Sequence, residues 1–277
     1  ILIGAVIVLI YTTFGGMWSV ALTDLFQSVV IVLGLLYVAF LVSGMAGGVG
    51  KVVAHASEAG KFQFWPTGGS KEWWLFAGAW ITMAIGSIPQ QDVFQRVTSA
   101  KNENTAVKGS LLGALAYFCF AFVPIFLAYA ALLVDPKMVE PLLQSEGREV
   151  QLILPNLVLN HMPMFAQVMF FGALLSAILS TASGALLAPP ALLTENVLKP
   201  LFGDMSDKRF LVLLRTVLVF FTAGVLIFAL NNTSTMYEMV QNAYKVTLVG
   251  AFVPLACGIY WHRASTQGAL VSSLVGL

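Results

Sequence analysis

Charge is scarce in this sequence. Of 277 residues only 10% are Asp, Glu, Lys or Arg, while 58% are hydrophobic, against roughly 25% charged in an ordinary soluble domain. That excludes a water-soluble globule. The formal charge of +1 leaves no basic surface with which to grip nucleic acid. Cysteine is nearly absent: Cys119 and Cys257 each lie inside an apolar run, with no CxxC or histidine spacing nearby. Neither a disulfide framework nor a metal centre is indicated, and no cofactor is expected. The three histidines, His55, His161 and His262, fall in or beside polar connections without metal-ligand spacing or a nucleophile motif, which argues against an enzyme.

What the chain does have is apolar runs of about 20 residues, the length that crosses some 30 Å of hydrocarbon at 1.5 Å per residue. They predict one all-α, polytopic membrane domain in a cell membrane, with spans at residues 1–14, 17–42, 73–94, 106–134, 163–188, 210–230, 236–260 and, cut short, 264–277. Because the chain begins at Ile1 and stops at Leu277 inside such runs, with no initiating methionine, it is expected to be part of a longer protein rather than one led by a signal peptide.

Between the runs, Gly15-Gly16 reads as a tight turn and residues 51–61 as a short amphipathic surface helix. Trp65, Trp73 and Trp74 suit a membrane interface. Pro89 and Pro124 interrupt their spans, and Pro189-Pro190 mark where a long helix must bend or end. Residues 135–162 are polar enough to leave the membrane, although "LILPNLVLNHM" has an apolar face and can lie on the surface as a lid.

Lysines and arginines set the orientation. With the Gly15-Gly16 turn cytoplasmic and the spans alternating, eight fall inside (Arg96, Lys101, Lys108, Lys199, Lys208, Arg209, Arg215, Arg263) and five outside (Lys51, Lys61, Lys71, Lys137, Arg148). The acids Asp135, Glu140, Glu146 and Glu149 sharpen the bias in the outer loop.

Charges at membrane depth need a reason. Asp24 sits about two turns into its helix, and Asp92 stands four residues before Arg96, a spacing that pairs them on one face. Glu238 and Lys245 share a helix face seven residues apart. Lys245 either snorkels or pairs with Glu238, or else is a fixed cation beside a transport path.

The helix "SAILSTASGALLAPPALLTEN" (Ser176–Asn196) clusters Ser176, Ser180, Thr181 and Ser183 with no charge beside them. The carbonyl of Ala177 and the hydroxyls of Ser180 and Thr181 stand at i, i+3 and i+4, so three neutral oxygens can converge on a dehydrated monovalent cation. A calcium site would recruit several carboxylates instead. The same hydroxyls can equally be small residues that permit close helix packing, or can bond back to their own helix.

Four stretches give the chain a resemblance that spacing does not. "YTTFGGMWSVALTDLFQ" (Tyr11–Gln27), "GSIPQQDVFQRVTSAKN" (Gly86–Asn102), the Ser176–Pro200 helix and "NAYKVTLVGAFVPLACGIYWHRASTQGA" (Asn242–Ala269), in that order, resemble the sodium:solute symporter family of sodium/glucose, sodium/proline and choline transporters. The resemblance implies a core of two five-helix inverted repeats with sodium and substrate bound near the midplane. It implies a sodium site formed here by the Ala177 carbonyl and the hydroxyls of Ser180 and Thr181, completed by a broken helix upstream of Ile1. By the same resemblance Asp24 lines the cytoplasmic route by which the ion leaves.

Substrate contacts are expected from Trp80, Ser87, Gln90 and Gln91, with Pro89 freeing a carbonyl near Ile85. At least one of the two glutamines is expected to face a polar cavity. The passenger would be a small organic solute. A choline-like cation is favoured by "GSIPQQDVFQR" and "LILPNLVLNHMP" and suits cation–π contacts; amino acids, carboxylates and sugars stay open. The expected activity is sodium-coupled import by alternating access. Two alternatives keep the fold: proton coupling through Lys245, Glu238 or Asp92, and a solute-sensing module of a sensor kinase.

Overall fold

The computed structural model describes residues 2–145 and 148–276. Ile1 and Leu277, at the ends of the outermost expected spans, and Glu146 of the acidic loop lie outside the described residues. In chain order the helices are α1 (Leu2–Met45), α2 (Val49–Glu58), α3 (Ser70–Ile85), α4 (Gln91–Thr98), α5 (Glu103–Phe120), α6 (Phe122–Val134) and α7 (Pro136–Gln144). There follow α8 (Ile153–His161), α9 (Met164–Leu193), α10 (Lys199–Phe202), α11 (Asp207–Asn231), α12 (Met236–Thr247), α13 (Val253–Tyr260) and α14 (Thr266–Gly276). A 3-10 turn lies at Arg148–Leu152 and π turns at Thr194–Leu198 and Leu248–Phe252.

Among the described residues, five helical stretches are long and apolar enough to cross a bilayer: Leu2–Met45, Glu103–Val134, Met164–Phe202, Asp207–Asn231 and Met236–Tyr260. With 44 residues, α1 would be about 66 Å long at 1.5 Å per residue, twice a hydrocarbon core. It breaks at Gly16, whose φ of 53° and ψ of −148° belong to a region that glycine occupies without penalty. Two helical segments result, one on either side of the paired glycines.

Prolines break other helices in their own register. Pro124 has no N–H for the carbonyl four residues earlier, Phe120, and the boundary between α5 and α6 falls there. Pro89 likewise withholds a partner from Ile85, where α3 ends, but that carbonyl takes the N–H of Ile88 at 3.0 Å instead. α9 runs through Pro189-Pro190 to Leu193 and gives way there to a π turn, so the α-helical register ends three residues beyond the prolines.

The chain forms two compact units, Ile1–Ala56 with Val107–Thr233, and Ser57–Ala106 with Ser234–Leu277. In the first, α1 lies against α9 so closely that a Cβ on Gly34 would stand 2.7 Å from the Met169 carbonyl oxygen, the close approach that small residues allow between membrane helices. Its larger core gathers Val38 and Val42 of α1, Leu127, Ala130 and Ala131 of α6, Val139 of α7, Leu157 and Val158 of α8, and Phe170 of α9. α8 thus turns an apolar face inward, and α2 does the same with Val52 and Ala56. Large apolar side chains such as Trp18, Phe40 and Phe220 point outward, as a hydrocarbon solvent requires.

Asp135 caps α7, its Oδ1 accepting from the Met138 N–H at 3.1 Å while Oδ2 meets His161 Nε2 at 2.8 Å. This ties the start of α7 to the end of α8. In the second unit α3 packs on α12 and on the π turn that follows it.

Candidate functional site

In the first unit one turn of α9 collects the polar groups. Ser180 Oγ donates to Asp24 Oδ1 at 2.6 Å across 156 residues of sequence. Ser183 is fully buried and donates to the Ser180 carbonyl at 2.8 Å. Tyr11 Oη donates to the Leu179 carbonyl at 3.1 Å. Tyr11 stands on the first segment of α1 and Asp24 on the second, so both halves of the broken helix grip the same turn.

The expected site residues divide. Ser180 and Asp24 are joined directly, and Ala177 lies half-buried one turn before Ser180. Thr181, the next residue, is exposed and stands about 100° further round α9 than Ser180. A carboxylate and a hydroxyl oxygen on facing helices are hard, oxygen-only donors suited to an alkali cation, and one negative charge matches one monovalent ion without the acidic cluster that calcium attracts.

Beside this turn lies a hollow of about 560 Å³ lined by Val8, Leu179, Ala182, Leu186 and Val225. Its walls are apolar, so it suits hydrocarbon rather than an ion. At the Gly15-Gly16 break, Arg215 Nε donates to the Thr13 carbonyl at 3.1 Å and the guanidinium lies 5.5 Å from the Phe14 ring centroid. This cation caps the end of the first segment, as the helix dipole favours.

The second unit holds a neutral counterpart. Thr247 Oγ1, at the last position of α12, donates to the Gly86 carbonyl at 2.6 Å and accepts from Gln90 Nε2 at 3.4 Å. Gly86 is required there: a Cβ would fall 2.4 Å from the Tyr244 carbonyl oxygen. The carbonyl that Pro89 and its turn leave available is therefore that of Gly86, not Ile85. Ser87 Oγ bonds to the Ala84 carbonyl at 3.0 Å, Gln91 is half-buried at the start of α4, and Trp80 is mostly exposed.

Glu238 and Lys245 do not bond to each other. Seven residues separate their Cα atoms by about 10 Å along the axis, and each finds a nearer partner. The Glu238 carboxylate accepts from the Thr235 N–H at 2.8 Å while Thr235 Oγ1 accepts from the Glu238 N–H at 3.2 Å, a capping box. Lys245 Nζ reaches Asn242 Oδ1 at 3.4 Å. Asp92 and Arg96 do pair, at 3.5 Å and well exposed, a geometry that contributes little.

Sequence reasoning did not single out Tyr11 or Thr247. A lone hydroxyl in an apolar run carries no signal of its own, and the Thr235-Met236-Tyr237-Glu238 spacing of a capping box also went unread.

Comparison with known proteins identifies the family. A model of the sodium:solute symporter family matches residues 1–276. The human high affinity choline transporter 1 is 28% identical over 294 residues, covering 100% of this chain and 48% of the transporter. The sodium/pantothenate symporter of Haemophilus influenzae is 24% identical and the sodium-dependent multivitamin transporter of the rabbit, Oryctolagus cuniculus, 27%, with 56% and 43% of those proteins covered. The chain spans about half the length of these curated relatives. A Na+-coupled sialic acid symporter solved in a substrate-bound outward-open state, described as revealing a novel Na+-site, matches with a TM-score of 0.71 at 16% identity, over 98% of this chain and 64% of that one. At that identity the likeness is one of fold.

Proposed function

Because this chain belongs to the sodium:solute symporter family, whose members are multi-pass membrane transporters, we propose that the protein imports a small organic solute across the cell membrane, driven by sodium entering with it. The observation that carries the reading is the 2.6 Å contact between Ser180 and Asp24. It places a carboxylate and a hydroxyl oxygen where two membrane helices meet.

In this reading the Ala177 carbonyl and the hydroxyls of Ser180 and Thr181 hold sodium, and Asp24 takes it onward to the cytoplasmic side. Ser180 Oγ can coordinate sodium through a lone pair while its proton stays on Asp24 Oδ1, so the carboxylate strengthens that ligand and stands next to receive the ion. Coupling requires that sodium bind the solute-competent conformation more tightly, and linkage makes the effect mutual. The membrane potential contributes about 2.3 kcal/mol per charge per 100 mV.

Trp80, Ser87, Gln90 and Gln91 form the solute side. A choline-like cation is supported by the choline transporters among the relatives and by the exposed Trp80 ring, whose face suits a quaternary ammonium. Glu238, committed to its own helix cap, is not the coupling group.

Uptake by the full-length protein in proteoliposomes tests this. Ser180→Ala is expected to raise the sodium concentration for half-maximal uptake by about tenfold, the equivalent of about 1.4 kcal/mol, and Thr181→Ala to raise it by less. Uptake indifferent to sodium, or a sodium dependence unchanged in both variants, contradicts the proposal.

A further inference from the structure

Tyr11 is a polar group of the first unit, beside Ser180, that the transport reading has not used. Its ring packs with Leu9, Leu179, Ala182 and Phe221 around the buried trio Val8, Leu186 and Leu218, which fixes where the hydroxyl emerges. That hydroxyl donates to the Leu179 carbonyl at 3.1 Å, one residue before Ser180. It also lies within reach of the Ser183 hydroxyl and close enough to Asp24 to feel its charge.

Leu179 is the helical acceptor for the Ser183 N–H four residues on, so its carbonyl serves two donors when Tyr11 joins. Ser183 in turn donates its hydroxyl to the Ser180 carbonyl. The backbone on both sides of the Ser180 Cα is therefore held from outside the helix ladder, by Tyr11 before it and Ser183 after it. A staggered serine rotamer on a fixed backbone directs its Oγ to one place. Here that place is Asp24, 2.6 Å away.

The break at Gly16 makes this grip possible. A straight continuation of α1 would carry Tyr11 and Asp24 about 20 Å apart along one axis, at 1.5 Å for each of thirteen residues. The positive φ of Gly16 folds the segments so that both meet one turn of α9.

We infer that Tyr11 is a positioning residue of the sodium site, its hydroxyl holding the Leu179 carbonyl so that Ser180 is aimed at the ion and at Asp24. The inference rests on the sodium reading of Ser180 and Asp24. It gives the first segment of α1 a part in ion binding without a ligand of its own.

The test is a double-mutant cycle in the full-length protein in proteoliposomes, with rates expressed per inserted protein. Tyr11→Phe keeps the ring in its apolar cluster and removes one oxygen, so insertion is expected to be normal. The sodium concentration for half-maximal uptake should rise about threefold to tenfold, as loss of one neutral hydrogen bond implies. The maximal rate should stay within about twofold, and the ratio of lithium-driven to sodium-driven uptake should change, which a general loosening of the fold would not produce. In a Ser180→Ala background the same substitution should have almost no further effect. An unchanged sodium dependence and lithium ratio in Tyr11→Phe, or an equal increase in both backgrounds, overturns the inference while leaving the sodium site in place. If Ser180→Ala itself leaves sodium dependence untouched, the site falls, and the role of Tyr11 with it.

Discussion

The two units solve one problem with different chemistry. Each has an interrupted helix stitched by a hydroxyl to a second helix: α1 at Gly16 with Ser180 of α9 in the first, and the break between α3 and α4 at Gly86 with Thr247 of α12 in the second. The first stitch ends on a carboxylate. The second ends on a backbone carbonyl, with the Gln90 amide as its other partner. A fixed negative charge selects a cation and makes its binding depend on ion concentration. A neutral set of donors and acceptors instead suits the polar edge of an organic molecule, where a missing partner costs about 1–3 kcal/mol.

That contrast breaks if the two sites fail to separate in kinetics. The largest effect is expected from Asp24→Asn, which removes the charge and keeps the shape. Charged hydrogen-bond partners contribute about 1.5–3 kcal/mol, so sodium half-saturation should rise about tenfold to a hundredfold, read from uptake at saturating solute. Solute half-saturation at saturating sodium should move far less. Thr247→Val should do the opposite and less strongly. It loses two neutral hydrogen bonds, so solute half-saturation should rise about threefold to tenfold with sodium half-saturation almost unchanged. Equal shifts in both parameters for either variant would merge the two sites into one.

The smallest effect lies outside both, where Asp135 at the start of α7 meets His161 at the end of α8. Asp135 is held below the usual carboxylate range, chiefly by its hydrogen bond to His161 and then by the Met138 N–H. Because the folded-state value lies below the ordinary ~3.9, this contribution is fully present above that pH and is lost as pH falls through the lower folded value. Protection of the Met138 amide, relative to its intrinsic exchange rate, should therefore persist as pH falls through ~3.9 and be lost only below it. His161→Ala should bring that loss upward, toward ~3.9. An identical profile in the variant would show that the imidazole does not set it.

Which of these features the sequence disclosed follows from the range of the interactions involved. Adjacent glycines at 15 and 16 announce a break because no helix needs two of them together. Pro89 and Pro124 announce theirs through a missing N–H. Such signals are local. Pro189-Pro190 announce an irregularity but not its exact place, because a π turn a few residues on can absorb the lost hydrogen bonds. Ser180 and Asp24 were each conspicuous as polar residues in apolar surroundings, yet nothing in a 156-residue separation announces that they touch.

Tyr11 and Thr247 were hidden for a related reason. A single hydroxyl in a greasy helix satisfies itself on its own backbone as readily as on a neighbour's, as Thr12 does with the Val8 carbonyl at 2.6 Å. Glu238 and Lys245 show the converse error. Their shared face suggested a pair, but a capping box three residues long outcompetes a partner two turns away.

The most direct measurement is equilibrium binding of radioactive sodium to the purified full-length protein, wild type against Asp24→Asn with Ser180→Ala. Saturable binding in the wild type that is lost or weakened at least tenfold in the double variant is the expected result. Undiminished sodium binding in the double variant would contradict the assignment of these two side chains to the ion.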